Sequence, residues 1–284
     1  MRLRFALLVV VVLALASLAA FVVAPALDPR WQVLDASHAP TLSDRLARTD
    51  RRTLLFVPGA IARNPTAPVT IVLVLAGLGG DGRAFAEEFV PTAEAKGWLL
   101  IAPSPDYDPA TNETLLWADQ RVDDELVSMV DSVMATSFHV APRIDVVGFS
   151  RGAQSAHRFA LRHPERVNAL ASFSAGTYTM PTSSQPYPLG MGDFATWNHQ
   201  HAFDPMSLRE VRVLVGVGDA DTNPQDVVRA WDVVGGPTRL DRGIRFAQAL
   251  GELSVPHHFQ SYAGVGHRFV PQMRADAIAW FAGT

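Results

Sequence analysis

The 284-residue chain contains no cysteine. That excludes disulfide staples, a thiolate nucleophile and cysteine-ligated zinc. Positive charge is scarce as well: 24 Lys+Arg against 28 Asp+Glu leave a formal net charge of −4 and a pI near 6.1. No Lys/Arg cluster stands out that could hold phosphates, so nucleic acid is a poor partner. Internal repeats are absent. What the chain does have is one long hydrophobic run. After Met1-Arg2-Leu3-Arg4, residues Phe5 to Val23 are apolar except for Ser17. As a helix this run would span roughly 28 Å, close to the hydrocarbon thickness of a bilayer. It is longer than the usual signal-peptide core of about 7–15 residues, yet Ala14-Leu15-Ala16 and Ala24-Pro25-Ala26 offer small-residue cleavage sites. Residues 1–26 therefore read either as a membrane anchor or as a signal peptide removed on export. In both readings Arg2 and Arg4 stay cytoplasmic and the rest of the chain is exported. If the segment is retained, it ties the protein to the membrane; if it is cleaved, the protein is secreted.

Behind it, residues 27–50 carry prolines and polar residues without a period and read as a linker. Residues 51–284 are then one domain, within the range of single α/β domains. Thr53–Val57 reads as a first strand ended by Pro58-Gly59. Val69–Ala76 is a continuous apolar, β-branched run, as expected of a strand buried on both faces of a parallel sheet. Trp98–Ala102, Ile144–Phe149, Val167–Phe173, Val211–Val217 and His258–Tyr262 read as further strands. Helical patterns alternate with them over Asp81–Lys96 (interrupted at Pro91), Ala118–Thr136, Ser150–His163, Leu240–Leu253 and Val270–Phe281. Between Ala118 and Thr136, residues Val122, Leu126, Met129, Val130 and Val133 share one stripe. Such alternation predicts a mostly parallel central sheet with helices on both faces. The stretch from Thr177 to about Arg209, rich in proline and glycine, reads as a small irregular cap over the site.

Gly148-Phe149-Ser150-Arg151-Gly152 lies between a predicted strand and a predicted helix. A Gly-x-Ser-x-Gly pentapeptide is weak by itself, but in this setting it describes a nucleophile elbow, a turn sharp enough to expose the serine hydroxyl at a sheet edge. Glycine at 148 and 152 has a steric reason there, because a Cβ would strike neighbouring backbone. A serine hydroxyl needs a base beside it and a third group to orient that base. Asp219 and Asp221 follow the strand ending at Val217, and His267 follows the strand ending at Tyr262. These supply acid and base in the order Ser, Asp, His, all at the carboxyl ends of strands. The Gly-x-x-Asp spacing favours Asp221 as the acid, with Asp219 as a loop-capping residue and Asp226 as a helix-start residue.

Eight other histidines compete with His267. His157 and His163 would sit on the helix behind the serine. His199-x-His201 invites a metal reading, but no motif positions a third ligand. No cofactor is implied. Two backbone amides should complete the site as oxyanion donors. One is Arg151, and the other lies in Gly77-Leu78-Gly79-Gly80-Asp81-Gly82, with Leu78 favoured over Gly79. The lysine and Ser/Thr of a phosphate loop are missing from that stretch. Tyr107, Trp117, Tyr178 and Trp197 are aromatic candidates for a pocket, or for packing.

Taken together, these residues resemble the α/β-hydrolase superfamily, and within it the secreted esterases of the poly(3-hydroxybutyrate) depolymerase and feruloyl esterase type. The likeness begins at Arg52–Pro58 and takes in the glycine loop 77–82 and Gly97–Pro103. It continues through Pro142–Ser150 and Pro164–Val167 to Ser174-Ala175-Gly176. It implies an α/β-hydrolase fold over residues 51–284, with Ser150, His267 and Asp221 hydrolysing a small or polymeric carboxylic ester. The same three residues would also serve a peptidase or an acyltransferase; an inactive membrane-tethered binding module is the rival from another class. Three departures stand out. Ala76-Gly77 replaces the usual His-Gly, the disulfides common in secreted members are missing, and an arginine follows the serine. Arg151 is expected to pair with a neighbouring carboxylate or to bind an acidic group of the substrate.

Overall fold

The computed structural model describes residues 31–33, 54–64, 68–105, 107, 112–135 and 139–283, with only the backbone of 31–33 and 112–119. The hydrophobic segment 1–26, His38 and the side chain of Trp117 lie outside the described residues. Among the described residues, no helix is long and apolar enough to cross a membrane.

Among the described residues, nine strands form one sheet: β1 (Trp31–Val33), β2 (Leu54–Phe56), β3 (Pro68–Leu75), β4 (Trp98–Ala102), β5 (His139–Val140), β6 (Ile144–Phe149), β7 (Val167–Phe173), β8 (Arg212–Gly218) and β9 (His257–Tyr262). Their order is β1-β2-β4-β3-β6-β7-β8-β9, with β5 paired to the start of β3. Pairing is antiparallel from β1 to β2 and from β2 to β4, and parallel from β4 onward. The span expected to be a linker, 27–50, thus contributes an edge strand. Three residues carry too little periodicity to announce a strand, and β1 exists because β2 offers it an open edge.

The helices are α1 (Gly59–Arg63), α2 (Gly82–Glu87), α3 (Val90–Lys96), α4 (Asn112–Met134), α5 (Arg151–Arg162), α6 (Phe194–Trp197), α7 (Pro205–Leu208), α8 (Asp232–Gly235), α9 (Arg239–Glu252) and α10 (Pro271–Ala282). The predicted helix over 81–96 is two, because Pro91 lacks an N–H to continue the ladder and instead starts α3. Side chains alternate across the sheet as a pleat requires. Ile71, Leu73 and Leu75 join the cluster under α4, α5 and α9, while Val72 and Val74 join the one under α2, α3 and α10. The stripe Val122, Leu126, Met129, Val130 and Val133 is buried in the first cluster.

The segment 177–209 is irregular, as its composition implies, but its place differs from a cap over the serine. It runs down the outer side of α5. Arg158 donates to Thr177 Oγ1 at 2.7 Å and to Thr179 Oγ1 at 3.0 Å. Arg162 donates to the Trp197 carbonyl at 2.9 Å and to the Tyr187 hydroxyl at 3.2 Å. Tyr178, Met180, Tyr187, Met191 and Phe194 are buried in the same cluster as α5 and α9. None of the segment's hydrogen bonds or ring contacts among the described residues reaches Ser150 or His267. The reason is topological. β7 and β8 are parallel neighbours, so between them the chain must return from the carboxyl end of the sheet to its amino end. It does so along α5 with almost no helix of its own, and buried arginine donors satisfy its backbone and hydroxyls.

Candidate active site

From β3 the chain passes to β4 on one side and then crosses to β6 on the other. The carboxyl ends of β3 and β6 therefore open at a point where the winding reverses, the position at which open α/β sheets build their sites. Ser150 follows β6 directly and caps α5 with φ 55° and ψ −119°. This is a conformation that a non-glycine residue adopts only under constraint. The constraints are visible. The Ser150 amide donates to the Phe173 carbonyl at 2.9 Å. A Cβ on Gly148 would come within 2.5 Å of the Gly152 carbonyl oxygen, and one on Gly152 within 2.1 Å of that of Leu75. The turn can therefore be this tight only with glycine on both sides.

The hydroxyl meets a histidine from the far end of the chain. Ser150 Oγ lies 2.9 Å from His267 Nε2, and His267 Nδ1 lies 2.8 Å from Asp221 Oδ2. The imidazole stacks on Phe149, ring centres 5.1 Å apart and planes at 24°. Asp221 is 3% exposed. Burial pushes its carboxyl up, but the hydrogen bond from His267 and the Arg239 guanidinium outweigh it and hold the group below the usual aspartate range. An ionised Asp221 can only accept, so Nδ1 carries the ring proton and Nε2 is left to accept from the serine. Asp219, the competing acid, turns away and accepts from the Gly264 amide at 2.7 Å, bracing the loop that presents His267. Asp226 ends a 3-10 turn, accepting from Asn223 at 2.9 Å.

The glycine loop stands beside Ser150: a Cβ on Gly77 would lie 3.2 Å from the serine Cβ. Residues 77–80 make a turn closed by the Gly80 amide on the Gly77 carbonyl at 3.0 Å, with Gly79 at φ 71°. A turn with positive φ at its third residue requires glycine there, and its one hydrogen bond does not use the amides of Leu78 or Gly79. The Leu78 side chain is exposed. Arg151 opens α5, so its amide is at the positive end of a 12-residue helix. Its guanidinium lies 5.0 Å over the Tyr107 ring and approaches Gln154 Oε1 at 3.5 Å.

The other candidates fall elsewhere. His157 is wholly buried behind the elbow, with Nδ1 donating to the Ala153 carbonyl and Nε2 accepting from the Thr179 amide. Burial and the charge of Arg158 push its proton affinity well down, so it stays neutral. His163 and His199 pair with Asp123 and Asp124 at 2.9 and 3.0 Å. Among the described residues no cluster of His, Cys, Asp and Glu could hold a metal. Tyr178 packs face to face on Phe246 at 4.5 Å and is core, not pocket.

One participant escaped sequence reading altogether. Arg239, the first residue of α9 and 7% exposed, donates from Nη1 to Asp221 Oδ1 at 3.1 Å and from Nη2 to the Asp226 carbonyl at 2.7 Å. No motif marks it, and an arginine in the first turn of a helix opposes the dipole.

Comparison with known proteins points to a class of enzyme. The Esterase family model matches residues 89–278. No curated protein matches the chain. Among solved structures, the poly(3-hydroxybutyrate) depolymerase of Bordetella parapertussis superposes with a TM-score of 0.56 at 19% identity, covering 82% of this chain and 84% of its own. Poly(aspartic acid) hydrolase-1 from Sphingomonas sp. KT-1 gives 0.55 at 19% identity, over 82% and 91%. An S-formylglutathione hydrolase from Agrobacterium tumefaciens gives 0.54 at 19%, over 82% and 89%. These likenesses establish the fold; the family match spans more than half of the sequence and includes the serine elbow, the acid loop and the histidine. The chain belongs to the Esterase family, carboxylic ester hydrolases built on the α/β-hydrolase fold.

Proposed function

We propose that this protein hydrolyses carboxylic esters through a Ser150–His267–Asp221 triad and an acyl-enzyme. The observation that carries the reading is the unbroken line from Ser150 Oγ through the imidazole to Asp221, with contacts of 2.9 and 2.8 Å. His267 Nε2 takes the hydroxyl proton as Ser150 Oγ bonds to the ester carbonyl carbon, and Asp221 stabilises the imidazolium without accepting that proton. The Leu78 and Arg151 amides receive the oxyanion, helped by the positive end of α5. The tetrahedral intermediate collapses, the alcohol leaves with the proton from His267, and water repeats the sequence on the acyl-enzyme. The missing imidazole at Ala76 does not weaken this scheme, because main-chain donors supply the hole.

Ser150→Ala and His267→Ala should each lower p-nitrophenyl ester turnover by about 10⁴-fold or more while leaving the fold intact, and a fluorophosphonate should label Ser150. Normal turnover by Ser150→Ala would refute the assignment. A general base must be unprotonated to accept the serine proton, so ester turnover should be lost at acid pH. Export rests on the apolar run 5–23 behind two arginines. Mass spectrometry of the mature protein separates the two forms, since loss of residues 1–26 means secretion and their retention an anchor.

A further inference from the structure

Asp221 has two oxygens, and both are engaged from opposite sides. Oδ2 faces His267 Nδ1 at 2.8 Å and Oδ1 faces Arg239 Nη1 at 3.1 Å. The carboxylate is 3% exposed, and a buried oxygen stripped of its partner leaves a charge uncompensated. Arg239 is itself held through both terminal nitrogens. Its Nη2 is fixed by the Asp226 carbonyl at 2.7 Å, and Asp226 Oδ2 stands 3.9 Å from Nη1. Its backbone sits in a first turn locked by a reciprocal capping box between Thr238 and Asp241. One turn on, Arg242 ties the Gly176, Val228 and Gly236 carbonyls to Asp232, so the wall behind Arg239 cannot shift. A buried cation placed against the helix dipole needs a counter-charge, and Asp221 Oδ1 at 3.1 Å is nearer to it than Asp226 Oδ2.

We propose that Arg239 is a positioning residue of the esterase site: it clamps Asp221 in the orientation that aims Oδ2 at His267, and its charge tempers the pull of Asp221 on the imidazolium. The inference rests on the triad reading above. Arg239 acts on the imidazole only through Asp221. The other ionisable groups around the pair are Asp226 and Arg242, both near Arg239, and Tyr178, whose hydroxyl senses Asp221 from the segment after β7. Asp219 is occupied by the Gly264 amide, and Arg268 follows His267 on the exposed side. None of these bonds to Asp221, so the guanidinium is the cation that balances it directly.

The two roles separate by substitution. Arg239→Gln removes the charge and leaves Asp221 to stabilise the imidazolium unopposed. The acid limb of kcat/KM should then move up by about half a pH unit or more, with kcat down about 10-fold or more from the loosened carboxylate. Arg239→Lys keeps a charge but not the fork, so its limb should stay near the parent while kcat falls several-fold. A merely structural arginine would lower the melting temperature and leave the limb of the folded fraction in place. An unmoved limb in folded Arg239→Gln overturns the inference. If that variant does not fold, Arg239→Lys decides it, because parental kcat there would show that the forked contact is not needed. Ser150→Ala is run alongside: if it retains turnover, the triad reading itself has failed, whereas a dead Ser150→Ala with an unmoved Arg239→Gln limb sinks only the role of Arg239.

Discussion

Asp145 and Asp221 are almost equally hidden from water, 2% and 3% exposed, but Asp145 lies in a parallel strand of the sheet and Asp221 in the loop beyond the carboxyl end of β8. Asp145 lies in β6 at the amino end, where Asn168 donates to its Oδ1 at 2.7 Å. Burial pushes its carboxyl up to about 6, with Asn168 and the charge of Arg212 only partly opposing. Burial pushes the Asp221 carboxyl up too, but His267 and Arg239 flank it and hold it below the ordinary range. Depth is thus not what makes an aspartate serviceable in a site. A neutral amide donor stabilises the carboxylate too weakly to offset that burial. A guanidinium and a histidine together outweigh it.

The sharpest way to break this contrast is Asp221→Asn. An amide offers its N–H₂ or its carbonyl, loses the charge that stabilises the imidazolium, and strands Arg239 beside a neutral partner. We expect kcat for a p-nitrophenyl ester to fall on the order of 10⁴-fold with the circular dichroism spectrum unchanged. A loss below 10-fold would mean that another acid serves His267.

Asp145→Asn should do the opposite, leaving turnover intact and changing stability. A carboxyl that holds its proton more tightly folded than unfolded favours the native state fully below about pH 4, and that contribution is lost as pH rises through about 6. The permanently neutral asparagine avoids the loss. Urea unfolding should therefore find the variant more stable than the parent by about 1–3 kcal/mol at pH 8, with most of that difference gone at pH 4. Equal differences at both pH values would contradict the account.

The smallest expected effect is that of Asp219→Ala, which removes one hydrogen bond to Gly264, three residues before His267. About 1 kcal/mol of stability and a few-fold of kcat should go with it; a loss as deep as that of Asp221→Asn would reverse the roles assigned to the two acids.

How far the chain could be read without coordinates follows the range over which each signal acts. The elbow was legible because its Gly-x-Ser-x-Gly signal lies within five residues, although the glycine at 152 answers to the distant Leu75 carbonyl. The sheet's buried strands were legible because two-sided burial leaves a continuous apolar run, as at Val69–Leu75. The split at Pro91 followed from one missing N–H. Misreadings cluster where the signal is short or depends on a distant surface. β1 has three residues and borrows its order from β2. The segment 177–209 was placed over the site on composition, whereas α5 offers it Arg158 and Arg162 as anchors at the other side.

The sequence by itself determined that a serine, an acid and a histidine follow successive strands in an order suited to one sheet edge. It did so because strand, turn and helix signals are local steric and periodic facts. Which aspartate meets the ring, and that an arginine from the start of α9 holds it from behind, only the tertiary structure decided. Those contacts join Asp221 to residues 18 and 46 positions away in the chain, and a charge is chosen as a partner by the depth and direction at which packing places it.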